Sequence, residues 1–195
     1  MFERSDNEFK VNYYTGKCKD AVICWMNTPR KVAIVVSYRP PDGSVFANPN
    51  FIYQLEKDLD DFSEMHGEMD TVYLGDFNGR MSNTDPPESQ IFTGIPQICG
   101  NWTDTDSDDA PKRCSKDNTT NKYGMELVEY LIRQELFLLN GREGFGDECG
   151  NFTFASSQGC SVIDYAFCSS GIIPHISDFQ VNELALSSHF PLVLE

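Results

Sequence analysis

Five short segments of this 195-residue chain combine residue types that move protons or hold charge. They are Ser37-Tyr38-Arg39-Pro40-Pro41, Gly75-Asp76-Phe77-Asn78, Phe152-Thr153-Phe154, Ser161-Val162-Ile163-Asp164-Tyr165 and Ser187-Ser188-His189-Phe190-Pro191. A carboxylate, an imidazole and a phenol are the groups from which acid–base chemistry is assembled. Each segment alone says little. An aspartate after a strand is a turn residue or helix cap more often than a catalytic base. A lone histidine is more often a satisfied structural residue, and a lone tyrosine an ordinary strand residue. What gives the five weight is that each falls at a strand end, where loops meet a rigid scaffold and sites are commonly built.

The elements that must position them follow from patterning. Ala21 to Met26 and Val32 to Tyr38 are short Val- and Ile-rich runs joined by the turn-like Asn27-Thr28-Pro29, which predicts two adjacent strands. Pro40, Pro41, Asp42 and Gly43 end the second strand abruptly. From Asn50 to about His66, Phe51, Ile52, Leu55, Leu59 and Phe62 recur at helical spacing with acids between them. Thr71 to Leu74 is a predicted strand running straight into Gly75-Asp76-Phe77-Asn78. Gly79 to Thr120 has little periodicity and many turn formers, so it is a long surface connection of a kind that is often functional. A second helix is predicted over Lys122 to Gln134, with Met125, Val128, Leu131 and Ile132 inward. Leu136 to Leu139, Phe152 to Phe154, Val162 to Cys168 and Pro191 to Leu194 read as further strands. Many strands and two clear helices imply a layered α/β domain with its loops gathered at one edge.

Composition narrows the function classes. A hydrophobic fraction of 40% and an aromatic fraction of 12% are globular values in a chain of single-domain length. Fifteen Lys and Arg against 30 Asp and Glu leave a net charge of −15. That excludes a protein holding nucleic acid by a broad basic surface, because phosphate neutralisation supplies most non-specific affinity. It is compatible with a metal-using nuclease whose groove is only locally basic, and then predicts weak, salt-sensitive binding. The acidic run Asp104 to Asp109 is expected to be a solvated loop. No run of eighteen apolar residues exists, and Met1 to Lys10 is polar and mixed in charge, unlike a secretory or transit peptide. An intracellular protein with reduced cysteines is expected, Cys24 and Cys168 being small buried hydrophobes. The sequons at Asn101, Asn118 and Asn151 then read as chance matches.

In order along the chain, a tyrosine followed by two prolines, then Gly-Asp-Phe-Asn, a threonine strand, Ser-x-Ile-Asp-Tyr and a final His-x-Pro resembles the endonuclease/exonuclease/phosphatase superfamily. Asn121-Lys122-Tyr123-Gly124, Leu139-Asn140-Gly141-Arg142 and Gly150-Asn151-Phe152-Thr153 resemble its non-LTR (LINE-type) retrotransposon branch. The likeness runs from about Asp20 to the end, with residues 1–19 poorly matched. It implies a single domain, a layered α/β sandwich of two mixed sheets packed face to face with helices outside, and Mg²⁺-dependent cleavage of DNA. By that resemblance Asp76 accepts a proton from the attacking water and Asn78 orients the water or a phosphate oxygen. His189 stabilises the scissile phosphate, Asp164 fixes the histidine tautomer, and Tyr38 donates its hydroxyl to the phosphate. Thr153 and Ser187 match groove-lining positions, and Arg39 is read as a phosphate contact. His66 and His175 match nothing and are expected on the surface or in packing.

Two departures fall on the metal-holding half of that pattern. The superfamily's opening strands, with an asparagine and then a metal-ligating glutamate, have no counterpart here, and Glu3 and Glu8 lie in no matching strand. Ser188 stands where an aspartate usually precedes the histidine. The expectation is therefore a fold lacking its N-terminal strands, with an exposed sheet edge and apolar face. Mg²⁺ favours anionic oxygens, so its site is weakened and no metal ligand is assigned. Three functions stay open: a DNA endonuclease completed by the rest of a longer gene product with or without a reverse transcriptase; an inactive remnant; and a phosphatase of the same fold.

Overall fold

The structure is a computed structural model and describes residues 10–26, 31–82, 113–183 and 187–195. Ten strands and two α-helices succeed one another in these residues. β1 (Val11–Tyr14), β2 (Ala21–Met26) and β3 (Val32–Tyr38) precede α1 (Phe51–His66) and β4 (Asp70–Asp76). After α2 (Lys122–Arg133) come β5 (Phe137–Leu138), β6 (Phe154–Ser156), β7 (Gly159–Ser161) and β8 (Asp164–Cys168). A 3₁₀ turn (Ser170–His175), β9 (Phe179–Val181) and β10 (Leu192–Leu194) complete the chain.

One six-stranded mixed sheet, in the order β1-β2-β3-β4-β8-β5, is the scaffold. β2 and β3 pair antiparallel as their sequence predicts, although the turn residues Asn27, Thr28 and Pro29 lie outside the described residues. β3 and β4 pair in parallel, which requires a crossover, and α1 supplies it. β8 then runs antiparallel to β4.

The strand pleat sends alternate residues to opposite faces. Ala33, Val35, Tyr73, Phe77, Tyr165 and Phe167 face the helices and form the larger core. α1 contributes Phe51, Leu55 and Phe62 at helical spacing, and α2 contributes Leu127, Val128, Tyr130 and Leu131. Tyr73 stacks on Phe167 at 4.6 Å, and Tyr130 meets both rings edge-on. Of the residues predicted inward on the second helix, Met125 is instead 54% exposed. His66 packs against Trp25 and Phe62, and His175 is exposed, as expected of residues without a site role.

The opposite face carries a smaller cluster built on Val72, Ala166 and Cys168. Its cover is the two-stranded ladder β9–β10, through Phe179, Val181, Leu192 and Leu194. This ladder is the second sheet of the layered α/β fold; β6–β7 forms a separate hairpin. Its cover is partial. Tyr13, Met26 and Val36, which registers with Leu74, belong to the face of this smaller cluster and are exposed. Among the described residues no helix is long and apolar enough to cross a membrane.

β1, β7 and β9 had no counterpart among the predicted strands, being three or four residues long with no alternating run. Most of the long connection, residues 83–112, and with it the acidic run Asp104 to Asp109, lies outside the described residues, as do Glu3 and Glu8.

Candidate active site

Tyr38, Asp76 and Asp164 form one row across three strands. Tyr38 registers with Asp76 on β3 and β4, and Asp76 with Asp164 on β4 and β8. Two residues along each strand, Leu74 and Ala166 belong to the smaller apolar cluster. The pleat therefore puts both carboxylates on that face, at the strand ends just beyond its apolar cover. Gly75 lets the row form. Its φ is +152°, and a Cβ there would stand 1.9 Å from the Ser37 carbonyl oxygen, so any side chain would force β3 and β4 apart.

Gly75-Asp76-Phe77-Asn78 works as an alternation that turns at its end. Asp76 faces the site, Phe77 enters the helix-side core, and Asn78 returns with φ +47° to meet Asp76 again. The Asn78 backbone N–H donates to Asp76 Oδ1 at 2.9 Å, and its Nδ2 donates to Asp76 Oδ2 at 3.1 Å. The same Nδ2 donates to the Arg39 carbonyl at 2.7 Å, while Arg39 N–H donates to the Asp76 carbonyl at 2.7 Å.

His189 reaches Asp164 from a segment 25 residues downstream. Its Nδ1 stands 3.0 and 3.1 Å from the two carboxylate oxygens. An ionised carboxylate only accepts, so Nδ1 carries the proton and Nε2 is the free ring nitrogen. Phe154 pairs with His189 in a backbone bridge, and its ring stands edge-on to the imidazole at 4.9 Å. Asn140 braces β8 from the other side: its Nδ2 donates to the Asp164 carbonyl and its Oδ1 accepts from Ala166 N–H.

Burial raises both carboxyl pKa values. Asp76 is pushed up to about 6, chiefly by desolvation and further by the Asp164 charge; the Asn78 hydrogen bonds and the His189 charge pull the other way. Asp164 is also raised by desolvation, against the Thr153 and His189 bonds that favour its charged form.

Asp76, Asp164 and His189 each offer a donor atom, and these lie within 4.8 Å of one another. Two carboxylates and an imidazole suit a divalent cation, with fewer anionic oxygens than an all-carboxylate cage. Ser188 is exposed, and its carbonyl accepts from Ala155 N–H.

Two of the expected substrate contacts are turned inward. Arg39 is 1% exposed: its guanidinium lies over Tyr123 at 3.3 Å, near Phe51, and pairs with Glu126. It is a structural clamp, because a guanidinium buried this far from solvent is out of reach of a phosphate at the surface. Thr153 is wholly buried, and its Oγ1 accepts from Ile163 and Asp164 N–H groups rather than lining a groove. Ser187 is exposed, with Oγ accepting from His189 N–H at 3.1 Å, and Tyr38 is 58% exposed.

Supporting residues emerge to which sequence reading gave no role. Asp117 is buried, takes a two-pronged bond from Arg80 at 2.8 and 2.7 Å, and accepts from Val162 N–H at the start of the Asp164 strand. Arg80 holds it well in its charged form, so its carboxyl pKa is lowered despite burial. Asn121 caps α2 through Gly124 N–H and also ties Asn78 and Arg80. A cap residue before an apolar-periodic helix is a signal the sequence carries for Asn121.

No protein-family model matches the chain, and no curated protein matches it. Solved structures do. The endonuclease domain of TRAS1, a telomere-specific non-LTR retrotransposon, superposes with a TM-score of 0.61 at 20% identity, over 97% of this chain and 69% of that one. The 3′-5′ exonuclease NExo from Neisseria meningitidis gives a TM-score of 0.55 at 13% identity, over 95% and 70%. A second NExo structure, described as a 3′ phosphatase bound to product DNA hairpin, gives 0.51 at 16% identity, over 95% and 69%. The chain shares the α/β fold of these endonuclease and exonuclease structures.

Proposed function

We propose that this chain, built on the endonuclease/exonuclease/phosphatase fold, is a DNA phosphodiesterase of the retrotransposon endonuclease kind. The observation that carries the reading is the cluster at one sheet edge: Asp76 and Asp164 side by side, His189 held by Asp164, and Tyr38 next in the row. Hydrolysis needs a base for the attacking water, neutralisation at the phosphate, and a stabilised leaving oxygen.

Asp76 is the base. With its pKa near 6 it is mostly ionised at neutral pH, yet basic enough to take a proton. Asn78 places it, since its backbone N–H holds one carboxylate oxygen and its amide the other. His189, fixed with its proton on Nδ1, presents Nε2 outward and stabilises the phosphate when that nitrogen is protonated. Tyr38, exposed beside Asp76, donates its hydroxyl to a phosphate oxygen. Water attacks phosphorus as Asp76 takes its proton, the bond from phosphorus to the 3′ oxygen breaks, and the leaving oxygen takes a proton from solvent, giving a 3′-hydroxyl and a 5′-phosphate.

The Asp76 and Asp164 carboxylates would hold a divalent cation such as Mg²⁺, with His189 left to the phosphate. A cation bound there supplies charge neutralisation at the phosphate oxygens. Ser188 adds no carboxylate, so the demand for added metal should be high. The net charge of −15 makes DNA binding weak and strongly salt-dependent. Further segments of a longer gene product, a reverse transcriptase among them, would supply the missing affinity.

The test is nicking of supercoiled plasmid with Mg²⁺ or Mn²⁺, a chelator control, and the His189→Ala variant. Metal-dependent nicking that disappears with His189 supports the endonuclease. A hairpin carrying a 3′-phosphate, run in parallel, tests the phosphatase reading that the second NExo structure favours. No product from either substrate with folded protein means an inactive remnant.

A further inference from the structure

Thr153 makes four hydrogen bonds that join the two halves of the Asp164–His189 pair. Its N–H donates to the Ser161 carbonyl at 3.1 Å, and its carbonyl accepts from Phe190 N–H at 2.8 Å. Its Oγ1 accepts from Ile163 N–H at 3.0 Å and from Asp164 N–H at 2.9 Å. One side therefore grips the start of the strand bearing the carboxylate, and the other grips the residue after the imidazole. The next residues extend the seam: Phe154 bridges His189, and Ala155 N–H donates to the Ser188 carbonyl. A threonine oxygen has two acceptor sites, and both are taken by consecutive N–H groups, so its position is set by the backbone.

We infer that Thr153 is a positioning residue that fixes the separation and orientation of Asp164 and His189 from inside the protein. Its catalytic consequence rests on the nuclease reading; its geometric consequence does not. A hydroxyl is required there because an isosteric methyl would leave two buried N–H groups without an acceptor. Serine keeps the oxygen and removes only a methyl group.

The experiment compares Thr153→Val with Thr153→Ser in the full chain, reading the low-field proton signal of His189 Nδ1–H by NMR in metal-free protein. The serine variant is expected to keep the signal and the valine variant to lose it. Under nicking conditions the valine variant should lower kcat on the order of 10²-fold, as misplacement of about 1 Å does, with KM little changed. A folded valine variant that keeps the signal overturns the inference. If that variant does not fold, hydrogen exchange in the wild-type chain decides. Slow exchange of the Ile163 and Asp164 amides upholds the Thr153 bonds, and exchange as fast as an exposed loop overturns them. A wild-type chain that shows the Nδ1–H signal but never nicks DNA sinks the nuclease reading and leaves the positioning role intact.

Discussion

The two faces of the six-stranded sheet are built from the same strands, one residue out of step. On the helix side, Val35, Tyr73, Phe77, Tyr165 and Phe167 pack under α1 and α2 into the larger core. On the other side, Val72, Leu74 and Ala166 begin a smaller core that gives way to Asp76 and Asp164 at the strand ends. Aromatic packing on one side makes the frame stiff enough to hold two raised-pKa carboxylates together on the other. Stability and chemistry are thus separated by the pleat, and substitutions on the two faces should fail differently.

The largest effect belongs to the site face. His189→Ala should cut the nicking rate on the order of 10³-fold, within the range for loss of an acid–base group, while circular dichroism and melting stay close to wild type. A variant that loses activity only because it unfolds would break the separation of the two faces. Next comes the core face. Phe77→Ala, one residue from the proposed base, should destabilise the fold by about 3–5 kcal/mol, measured by denaturant unfolding, because Phe77 is 1% exposed among aromatic neighbours. A loss below 1 kcal/mol would mean the helix-side core is not the frame.

The pH profile sharpens the electrostatic side of the contrast. Asp76 works as a base only when ionised; its pKa is about 6 without metal and a bound cation pulls it down, so the rate should fall about tenfold per unit below an inflection at or under pH 6. A rate that rises as pH drops below 6 would remove Asp76 from the role. The smallest effect is on stability. The folded pKa of Asp76 lies above its ordinary value of 3.8, so its contribution to stability is fully present below pH 3.8 and lost as pH rises through about 6. In metal-free protein, the melting temperature of Asp76→Asn relative to wild type should therefore rise by a few degrees between pH 4 and 7. A constant difference across that range would show that burial of the charge has no such cost.

The residues of the site differ in how far sequence exposes them. Asp76, Asn78, Asp164 and His189 stand at predicted strand ends in recognisable order, and the structure gathers them. Arg39 and Thr153 stand in the same motifs yet turn inward. Of the residues that hold the strand of Asp164 in place, Asp117 sits in a segment with no periodicity, and Asn140 stands in a family-like segment that gave it no role.

What the sequence by itself determined is the local part. Val- and Ile-rich runs, apolar residues at helical spacing and turn residues define β2, β3, α1, β4 and α2, because propensity, pleat and capping act over a few residues. Tertiary structure decided the rest. Arg39 is buried by a partner 87 residues away, and Asp164 meets its histidine across 25. The short β1, β7 and β9 exist because neighbouring strands complete their hydrogen bonds. The proton affinity of Asp76 depends on how much water the surrounding fold removes and on the charge of Asp164 beside it, neither of which any stretch of sequence contains.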